Sequence, residues 1–184
     1  MFKSNYFKLI MRLNKVKFGK NLNLYGIPVI FKKKGSKLKI GNNCTIKSSF
    51  LSNLIGLNQR TIIVTRTSEA NIEIGDNVGI SGATIYARKG ISIGDNTLIG
   101  GNVKILDNDF HPIEVKARNL DIKEKIITKE IKIGRNCFIG ANSLILKGVE
   151  IGEGSVVGAG SIVTGKFPPN VVIAGNPARV IKDI

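Results

Sequence analysis

The sequence has 184 residues, with 28 Lys or Arg against 13 Asp or Glu and a formal net charge of +15. This length suffices for one domain with a sizeable core, and 42% hydrophobic against 22% charged residues excludes general disorder. No apolar run approaches the ~20 residues that cross a bilayer, and no cleavable signal is evident, so we expect a cytoplasmic protein. The excess charge belongs to residues 1–68, which contain 14 basic residues and no acidic one.

Residues 1–20 form a basic N-terminal segment whose pattern predicts an amphipathic helix over Phe2–Phe18. Its apolar side is formed by Phe2, Tyr6, Leu9, Ile10, Leu13 and Val16. Two interpretations stay open: a cap over exposed strand edges of the following domain, or peripheral contact with the inner membrane surface, where each basic residue contributes about 1 kcal/mol. Binding to nucleic acid is not expected, because the segment lacks a recognisable module and aromatic stacking platforms.

A six-residue repeat dominates the rest of the chain. An aliphatic residue recurs at every sixth position at Ile133, Ile139, Ile145, Ile151, Val157 and Val163, and shorter runs in the same pattern begin at Ile74 and Ile93. Four residues after most aliphatic positions comes a small residue: Cys44, Val78, Thr84, Thr97, Val103, Cys137, Ser143, Val149, Ser155 and Ser161. Neither an amphipathic helix nor a single strand has this period.

Short strands separated by turns account for the repeat. Gly, Asn and Asp tolerate positive φ, so each six-residue unit can form one side of a coil, and three sides close a triangular coil of about 18 residues. Stacked coils pair their strands in parallel, about 4.8 Å apart, with the aliphatic and small residues inside. We therefore predict an all-β fold, a parallel β-helix over residues 21–184. Cys44 and Cys137 occupy inward positions, which favours core residues over disulfide or metal chemistry.

The repeat is interrupted after Ile105 and resumes near Ile127. The interrupting segment begins Asp107-Asn108-Asp109-Phe110-His111-Pro112 and contains the single histidine of the protein. We predict a projecting loop at about residues 107–129. Loops that leave a rigid scaffold frequently carry functional side chains, so this loop is the first candidate for a site.

A C-terminal tail, residues 168–184, follows the segment Gly158–Thr164 and reads PPNVVIAGNPARVIKDI. With the repeat and the Asp107–Pro112 segment, it resembles the hexapeptide-repeat acyltransferases, in the branch of the sugar, maltose and galactoside O-acetyltransferases and their capsule- and lipopolysaccharide-modifying relatives. The resemblance implies a left-handed coil, acetyl-coenzyme A as co-substrate, and a homotrimer with its sites between subunits. No metal is implied.

The resemblance also implies a mechanism. His111 would act as general base, because an imidazole with a pKa of about 6.5 is largely neutral at working pH and can accept the proton of an attacking hydroxyl. Asp107 or Asp109 would orient the imidazole or bind the acceptor, and the sequence leaves these alternatives open.

Other site residues are carried over from the same motifs. The residues that would bind coenzyme A are Ala141, Ala159, Thr164, Gly165, Lys166, Arg179 and Lys182. Galactoside enzymes hold the sugar with Asn and Asp, whereas this chain has Ile80 and Arg88 at those positions. The acceptor candidates are therefore Ser81, Tyr86 and Arg88, and an arginine suits an acidic sugar or a phosphate-linked carrier.

The expected function is O-acetylation of a sugar or surface polysaccharide precursor. An amino-sugar N-acetyltransferase and a non-catalytic structural solenoid are the alternatives. A zinc carbonic anhydrase on the same fold is excluded, because its metal site needs three histidines and this sequence has one.

Overall fold

The computed structural model describes residues 2–184, with side chains from Asn5 onward. The chain begins with helix α1 (Phe2–Leu13) and then winds into seven stacked coils of short strands. The predicted helix extended to Phe18, but α1 ends at Leu13 because Lys15 adopts φ +56° and the Val16 amide donates to the Met11 carbonyl, a left-handed C-terminal cap. Met11 is buried in the core and Phe7 packs against it, so α1 covers the first coil.

The first four coils contain three strands each. These strands are β1 (Lys17–Phe18), β2 (Asn23–Tyr25), β3 (Val29–Lys32), β4 (Lys37–Ile40), β5 (Thr45–Lys47), β6 (Ile62–Thr65), β7 (Asn71–Ile74), β8 (Gly79–Ser81), β9 (Thr84–Ala87), β10 (Gly90–Ile93), β11 (Leu98–Ile99) and β12 (Lys104–Leu106). The first coil thus begins at Lys17, before the predicted boundary at residue 21.

The last three coils follow a second, short helix, α2 (Val115–Asn119). Their strands are β13 (Ile131–Ile133), β14 (Phe138–Ile139), β15 (Leu144–Ile145), β16 (Glu150–Ile151), β17 (Val156–Val157), β18 (Ile162–Val163), β19 (Lys166–Phe167) and β20 (Val171–Gly175). The final strand, β21 (Ala178–Asp183), turns back and pairs antiparallel with β20.

Stacking of the coils produces three parallel sheets. Sheet A contains the first strand of every coil, sheet B the second strand together with β21, and sheet C the third strand of coils 1 to 6. The sheets meet at three edges, here called the AB, BC and CA corners. Two insertions leave the coils: the first insertion, residues 48–61, at the BC corner of coil 2, and the second insertion, residues 107–130, at the CA corner after coil 4.

The interior is a column of aliphatic and small side chains. The aliphatic repeat positions from Ile133 to Val163 are at most 3% exposed, as are Cys44 and Cys137. Burial raises the pKa of both thiols, which fits a packing role. Thr84 departs from the predicted pattern: it lies on the outer face of sheet C, and Ala83 fills the inward position, because β8 and β9 are joined by a shorter corner.

Glycine and asparagine have different roles in the repeat. The left-handed φ angles at the AB and BC corners fall mainly on asparagines, at Asn43, Asn77, Asn96, Asn102, Asn136 and Asn142. The glycine after the repeat isoleucine is needed for space instead: a Cβ on Gly94 would lie 2.5 Å from the Arg135 amide nitrogen of the next coil. Other glycines, among them Gly82, Gly154 and Gly160, do adopt positive φ at these corners, so the predicted turn chemistry is confirmed.

Candidate active site

The second insertion stands on a short antiparallel stem at the CA corner. Asn108 and Thr128 form a β-bridge, the Asp109 amide donates to the Ile127 carbonyl at 3.2 Å, and the Lys129 amide donates to the Asp107 carbonyl at 2.9 Å. This stem ties both ends of the insertion to the rigid coils. The position of the residues that follow Asp109 is therefore fixed by backbone hydrogen bonds.

Asp107 is fully buried and holds the neighbouring coil. Its Oδ2 accepts hydrogen bonds from the amides of Lys89 and Gly90 at 2.7 and 2.8 Å, and its Oδ1 accepts from the Arg88 amide at 2.8 Å and from Asn108 Nδ2 at 3.0 Å. Both carboxylate oxygens are thus occupied by the protein itself. These contacts show that Asp107 holds the turn against the neighbouring coil, and its predicted catalytic role stays a prediction.

The residue before the histidine has a strained backbone. Phe110 adopts φ +61°, which is rare for a bulky side chain, and its amide donates to Asn108 Oδ1 at 2.9 Å. Its ring lies 4.9 Å from the ring of Tyr86 on sheet C, centroid to centroid. Strain of this kind is frequently retained where it sets the direction of a functional side chain.

His111 follows directly and is exposed on the CA corner, while the next residue, Pro112, is buried. The His111 amide donates to the Asp109 carbonyl at 2.7 Å, which folds the backbone tightly around residues 109–111. The single histidine thus sits on a backbone turn anchored at both sides.

Asp109 has one oxygen occupied and one free. Its Oδ1 lies 2.5 Å from Nζ of Lys147, on the CA corner of coil 5, and both side chains are about three-quarters buried. Its Oδ2 is buried and has no hydrogen-bond partner among the described residues. A buried carboxylate oxygen without a donor is costly, so Asp109, unlike Asp107, retains the capacity to accept a hydrogen bond from a ligand or an imidazole. Lys147 was not found from the sequence, where it resembles any other corner residue.

A cationic cavity of about 320 Å³ lies beside the histidine turn. Its walls are Arg66, Thr67, Tyr86, Arg88, Phe110 and Lys123. Arg88 donates weakly to the Lys123 carbonyl at 3.5 Å, and within the described part of the chain no carboxylate forms an ion pair with Arg66 or Arg88. Tyr86 and Arg88, two of the three predicted acceptor residues, are therefore brought together with Phe110, the residue before His111, in a cavity suited to a negatively charged group.

The third acceptor candidate lies elsewhere. Ser81 is at the BC corner, where it accepts a hydrogen bond from Asn53 of the first insertion at 3.1 Å. Sheet C separates this corner from His111. Within one chain, Ser81 and Arg88 cannot contact the same small sugar.

The residues predicted to bind coenzyme A also lie at different corners of the coils. Ala141 and Ala159 lie at the BC corner of coils 5 and 6, whereas Thr164 and Gly165 lie at the CA corner and Lys166 begins β19 beside it. Lys166 forms an ion pair with Glu150 at 2.8 Å. The remaining two, Arg179 and Lys182, are exposed on β21 at the end of sheet B. These residues lie on more than one face of the prism.

Two further features bear on the site. No cluster of three or more His, Cys, Asp or Glu residues that could hold a metal ion occurs in the described part of the chain. No helix within residues 2–184 is long and apolar enough to span a membrane.

Comparison with known proteins identifies the repeat. The family model described as the hexapeptide repeat of succinyl-transferase matches residues 90–105 and 130–165. The chain is 44% identical over 116 residues to galactoside O-acetyltransferase of Escherichia coli K12, covering 62% of this chain and 55% of that protein. Across eight curated relatives that it matches, the chain spans between 37% and 63% of their lengths.

Two solved structures share the fold over nearly the whole chain. The polySia-specific acetyltransferase NeuO matches with a TM-score of 0.67 and 26% identity, covering 91% of this chain and 75% of that one. A variant of AntD, an N-acyltransferase from Bacillus cereus in complex with dTDP and coenzyme A, matches with a TM-score of 0.69 and 25% identity, covering 94% and 87%. The predicted fold, a left-handed parallel β-helix, is confirmed by these matches and by the three parallel sheets. Over its repeat and its fold, the chain is therefore similar to the hexapeptide-repeat acetyltransferases, in the branch that includes galactoside O-acetyltransferase.

Proposed function

We propose that this protein transfers an acetyl group from acetyl-coenzyme A to a hydroxyl group of a sugar or surface polysaccharide precursor, with His111 as general base. The observation that carries the proposal is the anchored turn at residues 109–111. It holds an exposed His111 directly after Phe110, which lines the cationic cavity, and Asp109, whose buried Oδ2 has no donor among the described residues. The relatives that match over the repeat include galactoside O-acetyltransferase, which gives the reaction class.

The reaction requires one proton to move twice. His111 accepts the hydroxyl proton as the acceptor oxygen bonds to the thioester carbonyl carbon, and a backbone N–H stabilises the oxyanion of the tetrahedral intermediate. Collapse of the intermediate breaks the carbon–sulfur bond, and the imidazolium returns its proton to the leaving thiolate. The products are an acetyl ester and coenzyme A, with no covalent enzyme intermediate.

Asp109 is the carboxylate we assign to the reaction, and Asp107 is a positioning residue. The free Oδ2 of Asp109 can accept a hydrogen bond from the imidazole or from the acceptor, while Lys147 holds its Oδ1. Asp107 keeps the turn in place through the amides of residues 88–90.

The division of the cofactor residues between corners supports a shared site. The BC corner of one copy, with Ala141 and Ala159, would face the CA corner of the next, with Thr164 and Gly165, and coenzyme A would lie in the groove between them. Arg179 and Lys182 would contact its phosphates. Three copies related by a threefold axis close such a heterologous contact, so we propose a homotrimer. Ser81 would then approach the acceptor from the neighbouring copy.

The acceptor class follows from the cationic cavity. Arg88 lacks a carboxylate partner among the described side chains, and its guanidinium is suited to a carboxylate or phosphate group on the acceptor. An Arg88→Ala variant should lose activity with anionic sugars and keep most of its activity with neutral ones.

N-acetylation of an amino sugar is the second candidate, favoured by the structural match to the N-acyltransferase AntD. Parallel assays with hydroxyl acceptors and amino sugars, using radiolabelled acetyl-coenzyme A, decide between them. Loss of activity by orders of magnitude in His111→Ala is the expected result, and near-normal turnover would contradict the base assignment. No labelled product and no coenzyme A binding would favour a structural solenoid.

Membrane contact of the N-terminal segment is a separate proposal. Although α1 buries Met11, it exposes Tyr6, Leu9 and Leu13. Flotation with anionic vesicles should capture the full chain and release a variant lacking residues 1–20; equal capture of both would contradict this contact.

A further inference from the structure

We infer that the CA corner of coils 1 to 3 is a binding track for an extended, negatively charged glycan chain; this rests on the proposed function. The cationic track comprises Lys17, Lys32, Lys33, Lys37, Lys39, Arg66 and Arg88. It begins at the cavity beside the histidine turn and ends at a second cavity beside β1.

The first part of the track is a column of three cations. Lys33, Arg66 and Arg88 are each the residue that follows a sheet C strand, and the register of β3, β6 and β9 places them at one position of successive coils. Neighbouring coils are about 4.8 Å apart, so three like charges follow one another along the corner. The Arg66 guanidinium lies over the Phe31 ring, 6.0 Å from its centroid, which positions the side chain without neutralising it.

The second part lies on the adjoining face of sheet A. Lys17 and Lys39 are direct partners in the pairing of β1 with β4. They border a cavity of about 400 Å³ whose charged walls are Lys15, Lys17, Lys32, Lys37, Lys39 and Glu73. The wall of this cavity thus contains five ammonium groups and a single carboxylate.

The other end of the same solenoid arranges its charges differently. On sheet A, Lys132, Glu150 and Lys166 alternate in register, and Lys166 pairs with Glu150 at 2.8 Å. At the neighbouring corner Arg135 pairs with Glu153 at 2.6 Å. In contrast, no ion pair involves a track residue in the described part of the chain.

Like charges in register destabilise a sheet, whereas opposite charges stabilise it. Coils 5 to 7 show that this scaffold accommodates alternating charges, and in coil 3 Glu73 stands in register with Lys39. The scaffold therefore requires neither the corner column of Lys33, Arg66 and Arg88 nor the Lys17–Lys39 pair. A ligand that supplies several negative charges at similar spacing removes the repulsion. This points to a polyanion and not to a single phosphate.

The geometry favours a glycan chain among polyanions. The corner column is one residue wide and continues into the cavity beside the histidine turn, so a single extended chain can occupy the track while one of its sugars reaches the base. From coil 1 to coil 3 the track spans two coil spacings, about 10 Å. A nucleic acid duplex would need a broader surface of cations, and an anionic membrane would need a flat one.

The test measures binding without the acetyl donor, so it does not depend on catalysis. Titrate the full chain with galacturonic acid, its short oligomers, polygalacturonate and neutral dextran. A triple variant, Lys17→Gln, Lys33→Gln and Lys39→Gln, is compared with a control triple variant of equal charge, Lys20→Gln, Lys104→Gln and Lys132→Gln, whose sites are exposed and off the track.

We expect affinity to rise from monomer to polymer, with no binding to dextran. The track variant should bind polygalacturonate about tenfold more weakly, since three ionic contacts are lost, while the control changes by less than about threefold. The track variant should also melt at the same or a higher temperature, because like-charge contacts are removed.

Equal losses in the two variants, equal affinity for monomer and polymer, or a lower melting temperature of the track variant would overturn the inference. Tighter binding to single-stranded DNA or phosphatidylglycerol vesicles that is lost in the track variant would also overturn it, in favour of another polyanion. Acetyl transfer that fails while polygalacturonate binding behaves as expected counts against the proposed function alone.

Discussion

Asp107→Asn, compared with Asp109→Asn, tests the proposal that Asp107 has a structural role in the histidine turn and that Asp109 takes part in the reaction. In the native protein the two Asp107 oxygens accept hydrogen bonds from three backbone amides and one side-chain amide, at 2.7 to 3.0 Å. An asparagine at position 107 can direct its oxygen toward the amides of Lys89 and Gly90. Its NH₂ group then faces the Arg88 amide, and two hydrogen-bond donors oppose each other. One buried unsatisfied N–H costs about 1–3 kcal/mol, and loss of the carboxylate charge weakens the remaining bonds, so we expect about 2–3 kcal/mol of destabilisation.

For a chain of this length, that loss corresponds to a fall in Tm of about 5–10 °C. The matched variant is Asp109→Asn, which alters a carboxylate with one ion pair and one unoccupied oxygen. It should destabilise the fold less than Asp107→Asn does, because the asparagine oxygen can still accept a hydrogen bond from Lys147. It should lower kcat/KM by about tenfold or more, because the base or acceptor loses its partner. Thermal unfolding at matched protein concentration and acetyl-transfer kinetics measure both effects. A larger fall in Tm for Asp109→Asn than for Asp107→Asn would refute the assignment of roles.

Three further predictions concern the scaffold. Gly94→Ala should destabilise the fold by about 2 kcal/mol or more in urea unfolding, since its Cβ would lie 2.5 Å from the Arg135 amide nitrogen; an unchanged midpoint would contradict the close approach. Asn96→Ala should lower the free energy of unfolding by about 1–2 kcal/mol, because Asn96 has φ +56° and its side-chain amide links the Asn77 and Asn136 side chains at 3.0 and 3.1 Å. Asn96→Gly should lower it less, since glycine adopts positive φ without strain. Equal losses in the two variants would show that φ is unimportant there. Cys44 and Cys137 should resist alkylation in the native protein and react after denaturation, because burial encloses both thiols and raises their pKa; fast native labelling would argue against their core positions.

The six-residue period of the sequence predicted most of the fold. A strict aliphatic period of six has few physical solutions, and the coil length, the parallel stacking and the buried small residues follow from it. The end of α1 at Leu13 and the outward position of Thr84 were missed because each depends on one local turn, at Lys15 and at the short corner before β9. The first insertion was missed because the repeat is weak before Ile74.

The position of the candidate site could be predicted from the interruption of the repeat, but the contacts of its residues with distant parts of the chain could not. His111 stands out as a single histidine in the break, and Tyr86 and Arg88 lie one coil away. The different environments of Asp107 and Asp109 could not be predicted, since they depend on amides 17 to 19 residues earlier and on Lys147, 38 residues later. Such contacts arise only when the coils stack.

The most direct test of the shared site is complementation between two inactive variants. His111→Ala removes the base at the CA corner, and Ala159→Trp blocks the cofactor groove at the BC corner. When the two variants are coexpressed in equal amounts, about three-quarters of the trimers contain both. In each mixed trimer, one of the three interfaces joins an intact CA corner to an intact BC corner. About one quarter of wild-type activity should therefore return. Activity no higher than the sum of the two separate variants, in trimers shown to be mixed, would contradict a site built from two copies.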